Sequence, residues 1–149
     1  MSRTDRERWD SRYAAADARA AAPAATLQWL PPPMVRRDLA LDLACGTGRH
    51  TRALLEMGYR VVGADVSRVA LQALRASLAS VNSAALVQLD VEAWPFAEAS
   101  FDVVVQIDFL DRDALAVMRR AVKPGGLFLI DTFAGPPLPG RPGPQRAAW

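Results

Sequence analysis

Leu39-Ala40-Leu41-Asp42-Leu43-Ala44-Cys45-Gly46-Thr47-Gly48-Arg49-His50 decides how the rest of the chain is read. Leu39–Leu43 is a short apolar run broken by one acid, the mark of a buried parallel strand. It runs into a turn of small residues. Gly46 and Gly48 remove side chains where the backbone must bend sharply and let a ligand approach. A helix over 49–57 follows, stopped by Gly58 at the position after its cap. Its N-terminal dipole faces the same turn. Strand, glycine turn and helix are the opening half of a parallel α/β unit.

The pattern repeats downstream. Arg60–Asp65 reads as strand two, and Ser67 can cap a helix with Leu71, Leu74 and Leu78 on its apolar face. Ala85–Leu89 reads as strand three, ending at Asp90, and Phe101–Ile107 as strand four, ending at Asp108. A helix over Asp113–Val122 presents Leu115, Met118 and Val122. Lys123-Pro124-Gly125-Gly126 breaks it before strand five at Leu127–Ile130. Strands alternating with helices over 39–133 predict an α/β fold. The expected form is a doubly wound parallel sheet with helices on both faces and right-handed crossovers.

Upstream, Thr4-Asp5-Arg6-Glu7 matches a capping box, which predicts a helix from there to about Arg19 with Trp9 and Tyr13 on one face. Residues 20–37 are rich in Ala and Pro, and Pro31-Pro32-Pro33 bars regular structure. One helical turn near Thr26–Leu30 is the most they should hold. Residues 134–149 carry repeated Pro and Gly and are expected to be disordered. The chain thus divides into an N-terminal helix and linker (1–37), a core (38–133) and a tail (134–149).

Composition bounds the function. The chain has 149 residues, 51% of them apolar and 23% charged, which suits a single globular domain. One cysteine and one histidine leave no material for a disulfide framework or for a Cys- or His-rich metal site, so no metal is expected. No apolar run approaches the roughly 18–20 residues of a membrane span, and Met1–Arg8 has no apolar stretch of the signal-peptide kind. A soluble, cytoplasmic protein is the expectation, with no membrane partner. The net charge of +2 divides into +3 over 1–37, −3 over 38–134 and +2 over 135–149. The basic character therefore sits at the ends. No basic stripe interleaved with aromatics argues for nucleic acid.

Ligands of open parallel sheets bind outside the C-terminal strand ends, near the point where the strand order reverses. Asp65 ends strand two about twenty residues after the glycines, where a carboxylate can accept from both hydroxyls of a ribose. Asp90 ends strand three, where it can accept from an adenine amino group. A nicotinamide-binding domain shares the first feature. Its third glycine, however, is Thr51 here, and Asp42 would repel a pyrophosphate. Asp42 better suits a ligand that carries a positive amino group. A plain tight turn also accounts for Gly46 and Gly48.

Taken together, these segments resemble the class I S-adenosylmethionine-dependent methyltransferases, in particular the small-molecule branch that includes thiopurine- and tellurite-resistance-type enzymes. The resemblance is carried by 41–50, Val62–Ser67, Asp90-Val91, Phe101–Val105 and Val122–Leu127, in order and spacing over 39–133. Trp9-Asp10-Ser11-Arg12-Tyr13 is similar to an N-terminal helix that closes over the cofactor in this branch. The resemblance implies a Rossmann-like fold with five of the family's strands in the order 3-2-1-4-5. The family's strands six and seven are missing, and the chain reads as C-terminally truncated. It also implies methyl transfer to a small molecule by in-line displacement.

Asp42, Gly46 and Gly48 would hold the methionine end of the cofactor. Asp65 would take the ribose, and Asp90 with the Val91 backbone the adenine. Gln106 and Ile107 would border the methyl donor, with Phe109 and Leu110 toward the acceptor. No catalytic base is assigned. Asp108 and Asp111 are the nearest candidates, with a solvated turn or a helix cap as their plainer reading. Cys45 reads as a small packing residue and His50 as a polar contact at a helix start. Arg12 would pair with the cofactor carboxylate or lie on a solvated face. Trp94-Pro95-Phe96 would wall the adenine or pack beneath a loop. Strand five, left as an apolar edge, is expected to pair between copies. Two other readings remain open: a cofactor-binding remnant without catalysis, and a nicotinamide-dependent oxidoreductase.

Overall fold

The computed structural model describes residues 3–15, 22–34, 38–78, 84–112 and 114–132. The expected continuation of the first helix to Arg19, the start of a helix at Asp113 and the character of the 134–149 tail lie outside these residues. Helix α1 spans Arg3–Ala15, and a 3-10 turn occupies Ala25–Trp29. Strand β1 (Leu39–Leu43), helix α2 (Arg49–Glu56), β2 (Arg60–Asp65), α3 (Arg68–Ser77) and β3 (Ala84–Gln88) follow. A short 3-10 turn at Val91–Ala93 leads into β4 (Phe101–Ile107), α4 (Leu115–Ala121) and β5 (Val122–Asp131).

The five strands form one parallel sheet in the order β3-β2-β1-β4-β5. The order reverses between β1 and β4, so the C-terminal ends of those two strands define the crevice of the fold. Period-two alternation divides β1 between two cores. Leu41 and Leu43 face a cluster with Val104, Phe101 and Met118 of α4. Ala40 faces the other side, with Leu27 and Leu30 of the linker, Leu54 of α2 and Val103, Val105 and Ile107 of β4. Leu71 and Leu74 of α3 and Leu78 at its C-cap pack with Cys45, which is the face expected from their spacing.

Local signals hold where they are self-contained. The Ser67 hydroxyl accepts from the Ala70 amide and caps α3. Gly58, at φ +99°, ends α2 while the Gly58 and Tyr59 amides return to the Leu55 and Leu54 carbonyls. Trp94, Phe96 and Phe101 stack edge to face against the α4-side core, so the Trp94–Phe96 segment packs beneath its loop.

The expected α4–β5 boundary needs correction. Val122 belongs to β5, and Lys123-Pro124-Gly125-Gly126 lies within the strand rather than before it. Phe101 pairs with Val122 and Val103 with Leu127, so four residues bulge out opposite Asp102. Gly125 takes φ +80°, and a Cβ on Gly126 would lie 2.6 Å from the Asp102 carbonyl. The residues that break a helix here let the strand leave its ladder and rejoin it.

Candidate functional site

The crevice is built on the turn that follows β1. Ala44, Gly46 and Gly48 take φ of +55°, +53° and +86°, and Asp108 at the end of β4 takes +57°. Left-handed backbone at Ala and Asp stores strain, which accumulates where a site needs a fixed backbone. The turn is tied to β2 at two points. The Cys45 amide donates to the Ala64 carbonyl at 3.1 Å, and the Gly46 amide donates to Asp65 Oδ2 at 2.8 Å. Asp65 Oδ1 accepts from the Ser67 amide at 2.8 Å. Burial pushes the Asp65 carboxyl up, against the lowering pull of those two amides. A carboxylate offers about four lone-pair positions, and two amides leave capacity for a diol.

Asp42 lies beneath the turn rather than in the crevice. It is 1% exposed, and the Thr51 hydroxyl of α2 donates to its Oδ2 at 2.6 Å. Asp42 pairs with Gly63, where a Cβ would press on Thr51, Cys45 and Leu86. The missing side chain lets α2 come down onto the acid. Burial pushes the Asp42 carboxyl up to about 7, partly countered by the Thr51 hydrogen bond. Cys45 is buried with its thiol pushed up, in keeping with a packing role.

Helix α1 roofs the turn. A Cβ on Gly46 would sit 2.6 Å from the Tyr13 hydroxyl. Burial, with Asp65 and Cys45 nearby, pushes the Tyr13 phenol well up and keeps it protonated. Trp9 stacks on Tyr13 at 5.9 Å, and the Arg12 guanidinium lies over the Trp9 ring at 5.1 Å. Asp10 accepts at Oδ1 from the Ser67 hydroxyl at 2.5 Å and the Val69 amide at 3.2 Å.

On the β4 side, Arg49 at the start of α2 is ion-paired with Asp108 across the mouth of the crevice. The Gln106 side chain is fully buried and donates to the Phe109 carbonyl at 2.9 Å. Its Oε1 has no hydrogen-bond partner among the described residues. Ile107 is core, packed with Leu27 and Val105. His50 is 4% exposed, with Nε2 likewise unpartnered. Burial, reinforced by Arg49, pushes its imidazole down to about 4 despite Asp108 and Asp131 nearby. Thr26 of the linker donates to Asp131 at the end of β5 at 2.8 Å. Asp111 accepts from the Ala114 amide at 3.0 Å in the turn that leads into α4.

At the end of β3, Asp90 accepts at Oδ1 from the Glu92 amide and starts the short 3-10 turn, while the Val91 side chain is buried core. The structure therefore gathers Gly46, Gly48 and Asp65 at one place. It sets Asp42 under them and Asp90 at the next strand end, and it seals the Gln106 and Ile107 side chains.

Residues 40–126 match the model of a family described as a methyltransferase domain. The chain belongs to that family of S-adenosylmethionine-dependent enzymes. A demethylmenaquinone methyltransferase of Clavibacter sepedonicus is 38% identical over 111 residues, covering 70% of this chain and 45% of the relative. A malonyl-[acyl-carrier protein] O-methyltransferase of Enterobacter lignolyticus is 33% identical over 122 residues, covering 78% and 46%. The chain spans about half the length of the curated relatives it matches. Among solved structures, the PH0226 protein of Pyrococcus horikoshii superposes with a TM-score of 0.57 at 31% identity, covering 63% of this chain and 48% of that one.

The crevice of this methyltransferase domain fits the family's cofactor. At Gly46 the missing side chain makes room for the Tyr13 hydroxyl of α1, and at Gly48 for Leu74 of α3, while Asp65 keeps acceptor capacity beside the turn. Asp108 was read from the sequence as a candidate base, but its pairing with Arg49, and the contacts of Asp10 and Tyr13, were not legible. Each contact runs between elements, and for α1 only the resemblance of Trp9–Tyr13 to a closing helix pointed toward it.

Proposed function

We propose that this domain binds S-adenosylmethionine and directs its methyl group to a small-molecule acceptor. One observation supports this most: the Asp65 carboxylate, at the C-terminal end of β2, is held by the Gly46 and Ser67 amides beside the glycine turn and keeps acceptor capacity for a diol. In this reading Gly46 and Gly48 lie against the methionine end, with Asp42 supporting them from below. Asp65 holds the ribose, Asp90 with the Val91 backbone takes the adenine, and Gln106 and Ile107 close the site near the donor. Residues 38–133 form the core, 1–37 the lid and its linker, and 134–149 a tail.

Bound cofactor supplies a methyl group already activated on a sulfonium. Asp65, at the crevice, is the acid placed to favour a cationic ligand, and closure over the turn excludes water from a reaction that disperses charge. Asp108 is ion-paired with Arg49 and Asp111 accepts from the Ala114 amide, and no base is assigned in this reading. Positioning of donor and acceptor carries the rate in this reading.

The relatives are named for demethylmenaquinone and malonyl-[acyl-carrier protein], which supports methyl transfer while pointing to no single acceptor class. The Trp9–Tyr13 helix is what supports the thiopurine- and tellurite-resistance-like branch. No helix among the described residues is long and apolar enough to cross a membrane.

Calorimetric titration of the chain with S-adenosylhomocysteine tests the reading. Binding is expected, and Asp65→Ala should weaken it at least tenfold, as loss of a charged hydrogen-bond acceptor implies. No binding by folded wild-type protein overturns it. A second reading, a cofactor-binding module without catalysis, is favoured by the sealed Gln106 and Ile107 side chains. Transfer of labelled methyl to any of a panel of quinol, thiol and carboxylate acceptors by the purified chain would refute that reading.

A further inference from the structure

We propose that Asp10 is a positioning residue, a latch that holds α1 closed over the cofactor crevice and couples that closure to Asp65. This rests on the reading of the crevice as an S-adenosylmethionine site. Helix α1, Arg-Thr-Asp-Arg-Glu-Arg-Trp-Asp-Ser-Arg-Tyr-Ala-Ala, has no apolar stripe with which to dock. Past its first turn, only Trp9, Asp10 and Tyr13 among its side chains are half-buried. Its grip on the body is therefore largely polar.

Asp10 makes that grip. Its Oδ1 accepts from the Ser67 hydroxyl and the Val69 amide at the N-terminus of α3. Open amides and the helix dipole favour a carboxylate there.

Ser67 passes the contact on. Its hydroxyl donates to Asp10 and accepts from Ala70, while its amide donates to Asp65 Oδ1. The other Asp65 oxygen takes the Gly46 amide, and Gly46 lies directly under the Tyr13 hydroxyl. The chain of contacts Asp10–Ser67–Asp65–Gly46–Tyr13 leaves α1 and returns to it one turn later. Closing the lid and ordering the ribose-binding carboxylate are parts of one network. By linkage, whatever the latch adds to ligand affinity, ligand adds to closure. A latch made of hydrogen bonds is also releasable, because water replaces them when the helix lifts.

Stopped-flow binding of S-adenosylhomocysteine and limited trypsin cleavage at Arg6, Arg8 and Arg12 test this. For Asp10→Ala the ligand should leave about five to fifty times faster, with a nearly unchanged association rate. Cleavage within α1 should quicken both with and without ligand. Asp10→Asn keeps an acceptor oxygen and should fall between the two. Exchange of α3 amides should change little, because Ser67 keeps its own cap on Ala70.

Wild-type on- and off-rates in Asp10→Ala overturn the proposal. So does a loss of α3 protection with α1 cleavage unchanged, which would mark Asp10 as a helix cap only. If wild-type protein binds no S-adenosylhomocysteine, the reading of the crevice fails. The ligand-free cleavage arm still decides the latch, and equal cleavage of wild type and Asp10→Ala rejects it.

Discussion

Burial moves Asp42 and His50 in opposite directions. The Asp42 carboxyl rises from 3.8 to about 7 under α2, so between those values the folded chain holds a proton the unfolded chain has lost. Its contribution to stability is complete below about pH 4 and is lost as pH rises through 7. The His50 imidazole falls from 6.5 to about 4, so the folded chain lacks a proton that the unfolded chain holds. That contribution is complete above about pH 6.5 and is lost as pH falls through 4. The two slopes oppose each other in wild type. Asp42→Asn should therefore lose stability relative to wild type on acidification from pH 7 to 4, and His50→Gln should gain it. Each relative change should reach on the order of 2–4 kcal/mol by urea denaturation. Parallel curves for the three proteins would show that neither group titrates as its burial requires.

At the scale of elements, the β1 turn and α3 are locked by the absence of one side chain. A Cβ on Gly48 would lie 2.2 Å from Leu74 Cδ1, at φ +86°. Leu74 is fully buried in α3 and cannot yield. Gly48→Ala should cost about 2–4 kcal/mol, combining left-handed strain with overpacking. A thermal midpoint within a degree of wild type would contradict that.

Elements whose signals are local were readable from the residues alone. Leu39–Leu43, Arg60–Asp65 and Phe101–Ile107 are apolar runs with polar ends, and Ser67 and Gly58 are punctuation that needs no partner. The Lys123–Gly126 segment was not readable as part of a strand, because only pairing with β4 tells a bulge from a break. The resemblance suggested that α1 closes over the site, but the contacts that hold it there were hidden. The Asp10–Ser67 contact joins segments far apart in the chain, and α1 has no apolar period to announce a docking face. At the site, Gly46 and Asp65 were legible by spacing. The burial of Asp42 beneath Thr51 was not, since it depends on the gap left at Gly63.

At the scale of the whole molecule, β5 pairs only with β4 among the described residues, and Leu127 and Ile130 are each 41% exposed. An apolar edge of this kind recruits another strand. Sedimentation velocity across a hundredfold concentration range should show the chain self-associating, and Leu127→Lys with Ile130→Lys should return it to a monomer. A wild-type monomer throughout that range would rule out the edge as a pairing surface.

Asp102 gives the opposite pole of the sheet a different character. Its carboxylate accepts from the Leu39 amide at 2.8 Å and from Lys123 Nζ at 2.8 and 2.9 Å. Partial burial would raise its carboxyl, but these donors outweigh that and hold it below the usual range. One side chain thus rivets the starts of β1 and β5 to β4, far from the crevice. The strand beginnings are held by contacts separate from those of the crevice turn, so loss of Asp102 or Lys123 would loosen the far edge of the sheet while the Gly46–Asp65–Ser67 hydrogen bonds stay in place.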